Sequence, residues 1–119
     1  MTRYLAVVER GYRGSVETQF ADVLYLVREL NRQLGGLDLS LRGLAVTYAV
    51  DAGPVGPAAG VDTLPDPRAS LRTLLAEGVA VSVADADLDA AGVPGDVPLL
   101  PGVVRGAARW SDYRAVWFL

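Results

Sequence analysis

The sequence predicts one α/β domain in three layers, a mainly parallel sheet of about five strands with helices on both faces. Three observations lead there. Short apolar runs rich in strand formers alternate along the chain with segments of helical period. Glycine and proline mark the changes between them. Parallel neighbours need crossover connections, which such an alternation supplies. A chain of 119 residues has room for a single core, so the domain is expected to span 1–119.

Arg3 to Val8 is a short apolar run ended by Glu9, Arg10 and Gly11, and predicts a buried first strand. After the loop Glu9 to Gly14, apolar residues at Val16, Phe20, Val23, Leu24, Val27, Leu30 and Leu34 recur at the period of one helix face. Ser15 is placed to cap that helix, Glu17 suits the positive end of its dipole, and Gly35-Gly36 supplies a left-handed stop. A second strand is expected within Leu39 to Val50, with Leu44-Ala-Val-Thr-Tyr-Ala-Val50 as the best run, since it is nearly all apolar. Gly53 to Pro65 predicts an exposed loop. Asp66 as cap and Pro67 at the first helical position open a short helix that buries Leu71, Leu74 and Leu75 and stops at Gly78. Val79 to Val83 predicts a third strand, followed by the acidic segment Asp85 to Asp89 and a helical turn ending at Gly92. Pro94 to Gly102 is expected to wrap the surface before a fourth strand around Val103 and Val104. A helical turn near Ala107 to Tyr113 precedes a last strand, Ala115 to Leu119, too apolar for a loose tail.

Composition excludes several functions. Hydrophobic residues are 51% and charged residues 21% of the chain, the balance of a globular protein. The net charge of −3 carries no basic stripe, so nucleic acid is not an expected partner. No apolar run approaches the roughly 20 residues that cross a bilayer, and the basic start meets Glu9-Arg10 instead of a signal core, so a soluble cytoplasmic protein is expected, with no membrane partner. Zero cysteine and zero histidine remove the thiolate nucleophile, the imidazole base, the disulfide and the usual zinc ligands. No cofactor or metal is expected.

Three stretches resemble the DsrE and DsrF proteins, which include subunits of bacterial sulfur-relay assemblies. Tyr4-Leu-Ala-Val-Val-Glu-Arg-Gly-Tyr-Arg-Gly-Ser-Val-Glu17 is similar to that family's opening strand, Gly-Ser-x-Glu-like turn and first helix. Leu71-Arg-Thr-Leu-Leu-Ala-Glu-Gly-Val-Ala-Val81 is similar to its small helix, glycine stop and third strand. Val79-Ala-Val-Ser-Val-Ala-Asp-Ala-Asp-Leu-Asp-Ala-Ala-Gly-Val93 resembles the segment where sulfur-carrying members place cysteine just after a strand. Ala84 and Asp87 stand at those positions here, so this chain cannot form or hand on a persulfide. The resemblance implies a DsrE-like fold and a tendency to form rings or stacked oligomers, homo- or hetero-oligomeric, some of whose subunits lack the active cysteine. The chain departs from the pattern in a shortened last helix, which puts family-like partner contacts in doubt.

In open parallel sheets ligands bind outside the carboxyl ends of the strands. Three segments qualify: Glu9 to Ser15, Thr47 to Asp51, and Ala84 to Asp89. Arg10, Tyr12, Arg13 and Ser15 lead into a helix N-terminus that favours an anion, or else Gly11 and Gly14 only permit a tight turn. Thr47, Tyr48 and Asp51 supply hydroxyls and a carboxylate. Asp85, Asp87 and Asp89 crowd negative charge, and a carboxylate raised in this way becomes a proton donor or acceptor, with Asp87 or Glu9 as the candidate base and Tyr12, Tyr48 or Tyr113 as helpers. The alternative is that these aspartates cap a helix. The same run begins like a calcium loop, with Asp96 at its twelfth position, but Ala90 stands where the turn needs glycine and Pro94 interrupts it. Trp110, Tyr113, Trp117 and Phe118 suit a ring ligand, a core or a subunit interface. Two functions follow as expectations: a protein without sulfur transfer that binds a small anionic ligand or serves as a non-catalytic subunit, or an enzyme using carboxylate acid–base chemistry on a small molecule.

Overall fold

A computed structural model of the chain describes residues 3–9, 23–51 and 67–119. Strand β1 (Arg3–Val8) is followed by helix α1 (Val23–Leu34), strand β2 (Leu37–Leu41), a 3-10 helix (Gly43–Ala49), helix α2 (Pro67–Ala76), strand β3 (Ala80–Val83), helix α3 (Asp85–Ala90), strand β4 (Val104–Arg105), a 3-10 turn (Trp110–Asp112) and strand β5 (Tyr113–Phe118). The strands form one five-stranded sheet in the order β4-β3-β2-β1-β5, and every pairing is parallel. The α/β sheet architecture and the bounds of the first strand agree with the sequence. Ser15, Glu17, the loop 53–65 and the cap at Asp66 lie outside the described residues.

The second strand is a correction. The strand is Leu37–Leu41, while most of the run expected to be extended, Leu44 to Val50, lies in the 3-10 helix. Leu37-Asp-Leu-Ser-Leu41 alternates, which is the pattern of a strand with one apolar face. In the following segment Leu44 and Thr47 are exposed while Ala45, Val46, Tyr48 and Ala49 are buried. The exposed pair is spaced at three residues, the period of a 3-10 helix. Gly43 breaks the strand: its φ is 53°, and a Cβ there would stand 3.3 Å from the Glu9 carbonyl oxygen, so the turn both needs and fits glycine.

Side chains two apart share a sheet face. Tyr4, Ala6 and Val8 of β1 line up in register with Leu37, Leu39 and Leu41, and the last two continue into Val81 and Val83 of β3. This face meets Leu24 and Val27 of α1, Leu71 and Leu74 of α2, Leu88 of α3 and the 3-10 helix, making one core. The helix stops hold the layers in place. Asn31 accepts the Gly35 and Gly36 amides through its carbonyl and the Leu37 amide through Oδ1 at 3.0 Å, which turns the end of α1 straight into β2. Arg28 and Glu77 join α1 to α2 at 2.5 Å, and that hydrogen bond raises the Arg28 pKa above its ordinary value. The loop after α3 docks on the 3-10 helix by Leu100 N–H to the Ala49 carbonyl at 2.8 Å and Asp51 N–H to the Pro98 carbonyl at 2.9 Å.

The second face of the sheet is different. It carries Leu5 and Val7 of β1, in register with Asp38 and Ser40 of β2 and with Val116 and Phe118 of β5. The connection from β4 to β5 crosses here, since Trp110 packs on Phe118 and the Tyr113 hydroxyl donates to Asp38 Oδ2 at 2.8 Å, reaching over β1. The helical part of that connection is the single turn Trp110–Asp112. Among the described residues no helix is long and apolar enough to cross a membrane.

Candidate functional site

The strand order locates a crevice. From β1 the chain steps to β2, β3 and β4 in one direction, then returns to place β5 on the other side of β1. The order therefore reverses between β1 and β5, and a ligand crevice is expected outside the carboxyl ends of these strands.

Backbone hydrogen bonds fix those ends against one another. The Val8 carbonyl accepts the Arg42 amide at 2.9 Å, the Glu9 carbonyl accepts the Ala45 amide at 3.3 Å, and the Val7 carbonyl accepts the Leu119 amide at 3.0 Å. Arg42, one residue past β2, is thus placed beside Glu9, one residue past β1. Its guanidinium lies 3.9 Å from Glu9 Oε1 and 5.5 Å from the centre of the Trp110 ring. Trp110 in turn meets Phe118 edge-to-face, with ring centres 5.2 Å apart and planes at 77°. These groups are open to water: Trp110 is 41% and Phe118 59% exposed, and the Arg42 side chain is 42% exposed.

Chemically the arrangement is a positioned cation on an aromatic platform. A guanidinium over the ring face is attracted by the negative charge of the π cloud. At 3.9 Å the Glu9 contact is an ion pair beyond hydrogen-bond length. Among the described residues the Arg42 guanidinium donates no hydrogen bond, unlike those of Arg28 and Arg105, which donate to Glu77 and Asp85.

The expected site residues fall in several places. Glu9 belongs to the crevice just described, whereas Arg10, Tyr12, Arg13 and Ser15 lie outside the described residues. Thr47 donates its hydroxyl to the Leu44 carbonyl at 2.7 Å, within its own turn. Tyr48 is packed in the core and is 8% exposed, so its ring belongs to the hydrophobic interior. Asp51 stands near Arg72 at 4.0 Å. Asp85, Asp87 and Asp89 lie on α3, with Ala84 before its first residue. A helix turns side chains by about 100° per residue, so Asp85 and Asp89, four residues apart, share one face while Asp87 lies across the axis from them. Among the described residues no three acidic groups converge as metal ligands would. Asp85 pairs with Arg105 at 3.3 Å, tying α3 to β4. Glu9 and Asp87 follow β1 and β3, with β2 between these strands, so the two candidate bases lie in separate clusters.

Arg42 is the residue that sequence reasoning missed. The available signal was its position directly after the alternating run Leu37 to Leu41 and before Gly43, which became visible only when the strand was placed correctly. The aromatic pair was singled out in the sequence, but its junction with Arg42 depends on a contact between distant segments.

No family model matches the chain, and no curated protein matches it in sequence. Among solved structures it is similar to the YchN protein of E. coli, with a TM-score of 0.75 and 26% identity over 100% of both chains. It is also similar to MTH1491 of Methanobacterium thermoautotrophicum, a protein of unknown function, with a TM-score of 0.57 and 19% identity over 91% of this chain and 84% of that one. Both are DsrE-like folds, and this chain shares that fold.

Proposed function

We propose that the chain is a binding module on a DsrE-like scaffold that takes up a small anion at the carboxyl ends of β1 and β2 and transfers no sulfur. The observation that supports this most is the Arg42 guanidinium, held over the Trp110 ring at 5.5 Å from its centre and with no hydrogen bond to any described residue. A guanidinium in that state offers its fork of donors to an incoming carboxylate or phosphate. Sulfur transfer is set aside because these 119 residues contain no cysteine, and Ala84 follows β3. Titrating acetate and inorganic phosphate into the protein while following backbone amide shifts tests the reading. Shifts at Arg42, Gly43 and Ala45 that vanish in Arg42→Ala are expected. A folded wild-type protein whose amides there respond to neither anion overturns it.

A second reading, a non-catalytic subunit of a homo- or hetero-oligomer, is favoured by one observation. Val104 and Phe118, both on the second sheet face, are 60% and 59% exposed, and large apolar side chains left at a surface suit a partner. Native mass spectrometry over a concentration series addresses it, and a monomer at all concentrations, alone and with related subunits, sinks it. The enzymatic reading, with Asp87 or Glu9 as base, gains less support: Asp87 lies on α3, away from Arg42, and Glu9 already pairs with that cation.

A further inference from the structure

The geometry points to a more specific ligand class for the Arg42 crevice, a planar aromatic molecule bearing one carboxylate. This rests on the anion-binding reading above and adds the ring. Two side chains supply the second half of the site. Trp110 and Phe118 meet edge-to-face at 5.2 Å yet remain 41% and 59% exposed. An edge-to-face pair that stays this exposed keeps ring surface, on Phe118 above all, against which a planar group can lie. Trp110 is beside the cation, since the Arg42 guanidinium lies over its ring, and Phe118 adjoins Trp110. A ligand whose acidic group meets Arg42 therefore brings its body onto the aromatic pair.

The charge environment chooses the acidic group. Glu9 Oε1 is 3.9 Å from the guanidinium, so any anion bound there is repelled by a neighbouring carboxylate. A singly charged carboxylate suffers about half the repulsion of a phosphate dianion, by simple proportion of charge. The planar fork of arginine also matches a carboxylate with two parallel hydrogen bonds. No described cation other than Arg42 is paired to Glu9, and a dianion would need more positive charge than the described residues place there. The location agrees independently, because β1 and β5 flank the point where the strand order reverses.

The test uses the two tryptophans as separate reporters. The chain has two: Trp110 in the crevice, and Trp117, which neighbours Tyr4 at 5.8 Å on the helix-covered side of the sheet. Each gives its own indole N–H resonance. Benzoate and acetate are titrated into the intact chain, and the variants Arg42→Gln, Trp110→Leu and Phe118→Leu are compared after their fold is checked by circular dichroism. Benzoate is expected to shift the Trp110 indole signal more than that of Trp117 and to bind about tenfold more tightly than acetate, the gain one stacked ring provides. Trp110→Leu and Phe118→Leu should each remove most of that preference while acetate binding persists, and Arg42→Gln should weaken both probes. Equal affinity for benzoate and acetate, both dependent on Arg42, overturns the aromatic specificity while anion binding stands. If neither probe perturbs the wild-type crevice, both readings fall. Should Trp110→Leu fail to fold, Phe118→Leu carries the same comparison.

Discussion

On the helix-covered face of the sheet, Leu39, Leu41, Val81 and Val83 are buried against three helices. On the opposite face the same strands present Asp38, Ser40, Ala80 and Ser82, and apolar side chains gather only on β1, β5 and Val104. Central strands of a parallel sheet covered by helices on both sides read as continuous apolar runs. Here β1 alone follows that rule, with Leu5, Ala6, Val7 and Val8 at 2% exposure or less. The difference teaches that, Val104 at the edge apart, one half of the second face is apolar and the other half polar, with the divide along β1; the polar half is partly covered, since Ser40 is 5% exposed and Asp38 lies under the Tyr113 hydroxyl. The Arg42 crevice lies on that divide.

Substitutions can break or sharpen this contrast. The largest effect is expected at Leu39→Ala, which opens a cavity in a fully buried position and should cost about 2–5 kcal/mol in urea-induced unfolding. Gly43→Ala should cost roughly 1–2 kcal/mol, because the added Cβ must adopt a left-handed backbone and crowd the Glu9 carbonyl. The same variant should also weaken acetate binding, since Gly43 sets the path from Arg42 to β1. Tyr113→Phe tests the polar strap over the second face. Losing the part-buried bond to Asp38 should cost about 1 kcal/mol, and a neutral outcome would mean that this bond does not hold the connection. Ser82→Ala, at a part-exposed position on the polar half of the second face, should stay within about 0.5 kcal/mol; a loss like that of Leu39→Ala would erase the distinction between faces. Glu77→Gln is expected to be smallest. The Arg28–Glu77 pair joins two helices at the surface, where water screens charge, so a thermal melt should hardly register it.

Much of the fold was legible because its signals are local. The glycines at 35, 36, 78 and 92 all have positive φ and stop elements where the sequence suggested. Pro67 begins α2 and the β1 run needed no correction. The failure at β2 has a specific cause. An apolar run such as Leu44 to Val50 suits a buried strand or a buried helical segment equally well, and periodicity over so few residues separates them poorly. Alternation in Leu37 to Leu41 was the better signal, but its polar members, Asp38 and Ser40, argued against a strand assumed to be buried on both faces. The candidate site was less legible. Glu9 was singled out because it follows a strand, and it stands beside Arg42, which the misplaced strand hid. Its partner Trp110 is remote in sequence, and no local pattern announces a contact of that kind. Tyr48 shows a second limit, since a hydroxyl-bearing side chain near a strand end also suits a core, and its ring is packed there.

The pairing of β5 with β1 brings Arg3 beside Tyr113 and Val7 beside Phe118, joining segments at opposite ends of the described chain. Closing so long a loop costs more entropy than the neighbouring contacts of β1, β2 and β3, so β5 is expected to dock late and detach early. When it leaves, Phe118 goes with it and Trp110 loses its seat, while Arg42 stays anchored to Val8. A molecule that needs the rings as well as the cation can therefore bind only the docked form. Its presence should slow amide exchange throughout β5, making occupancy of the crevice and closure of the sheet two readings of one equilibrium.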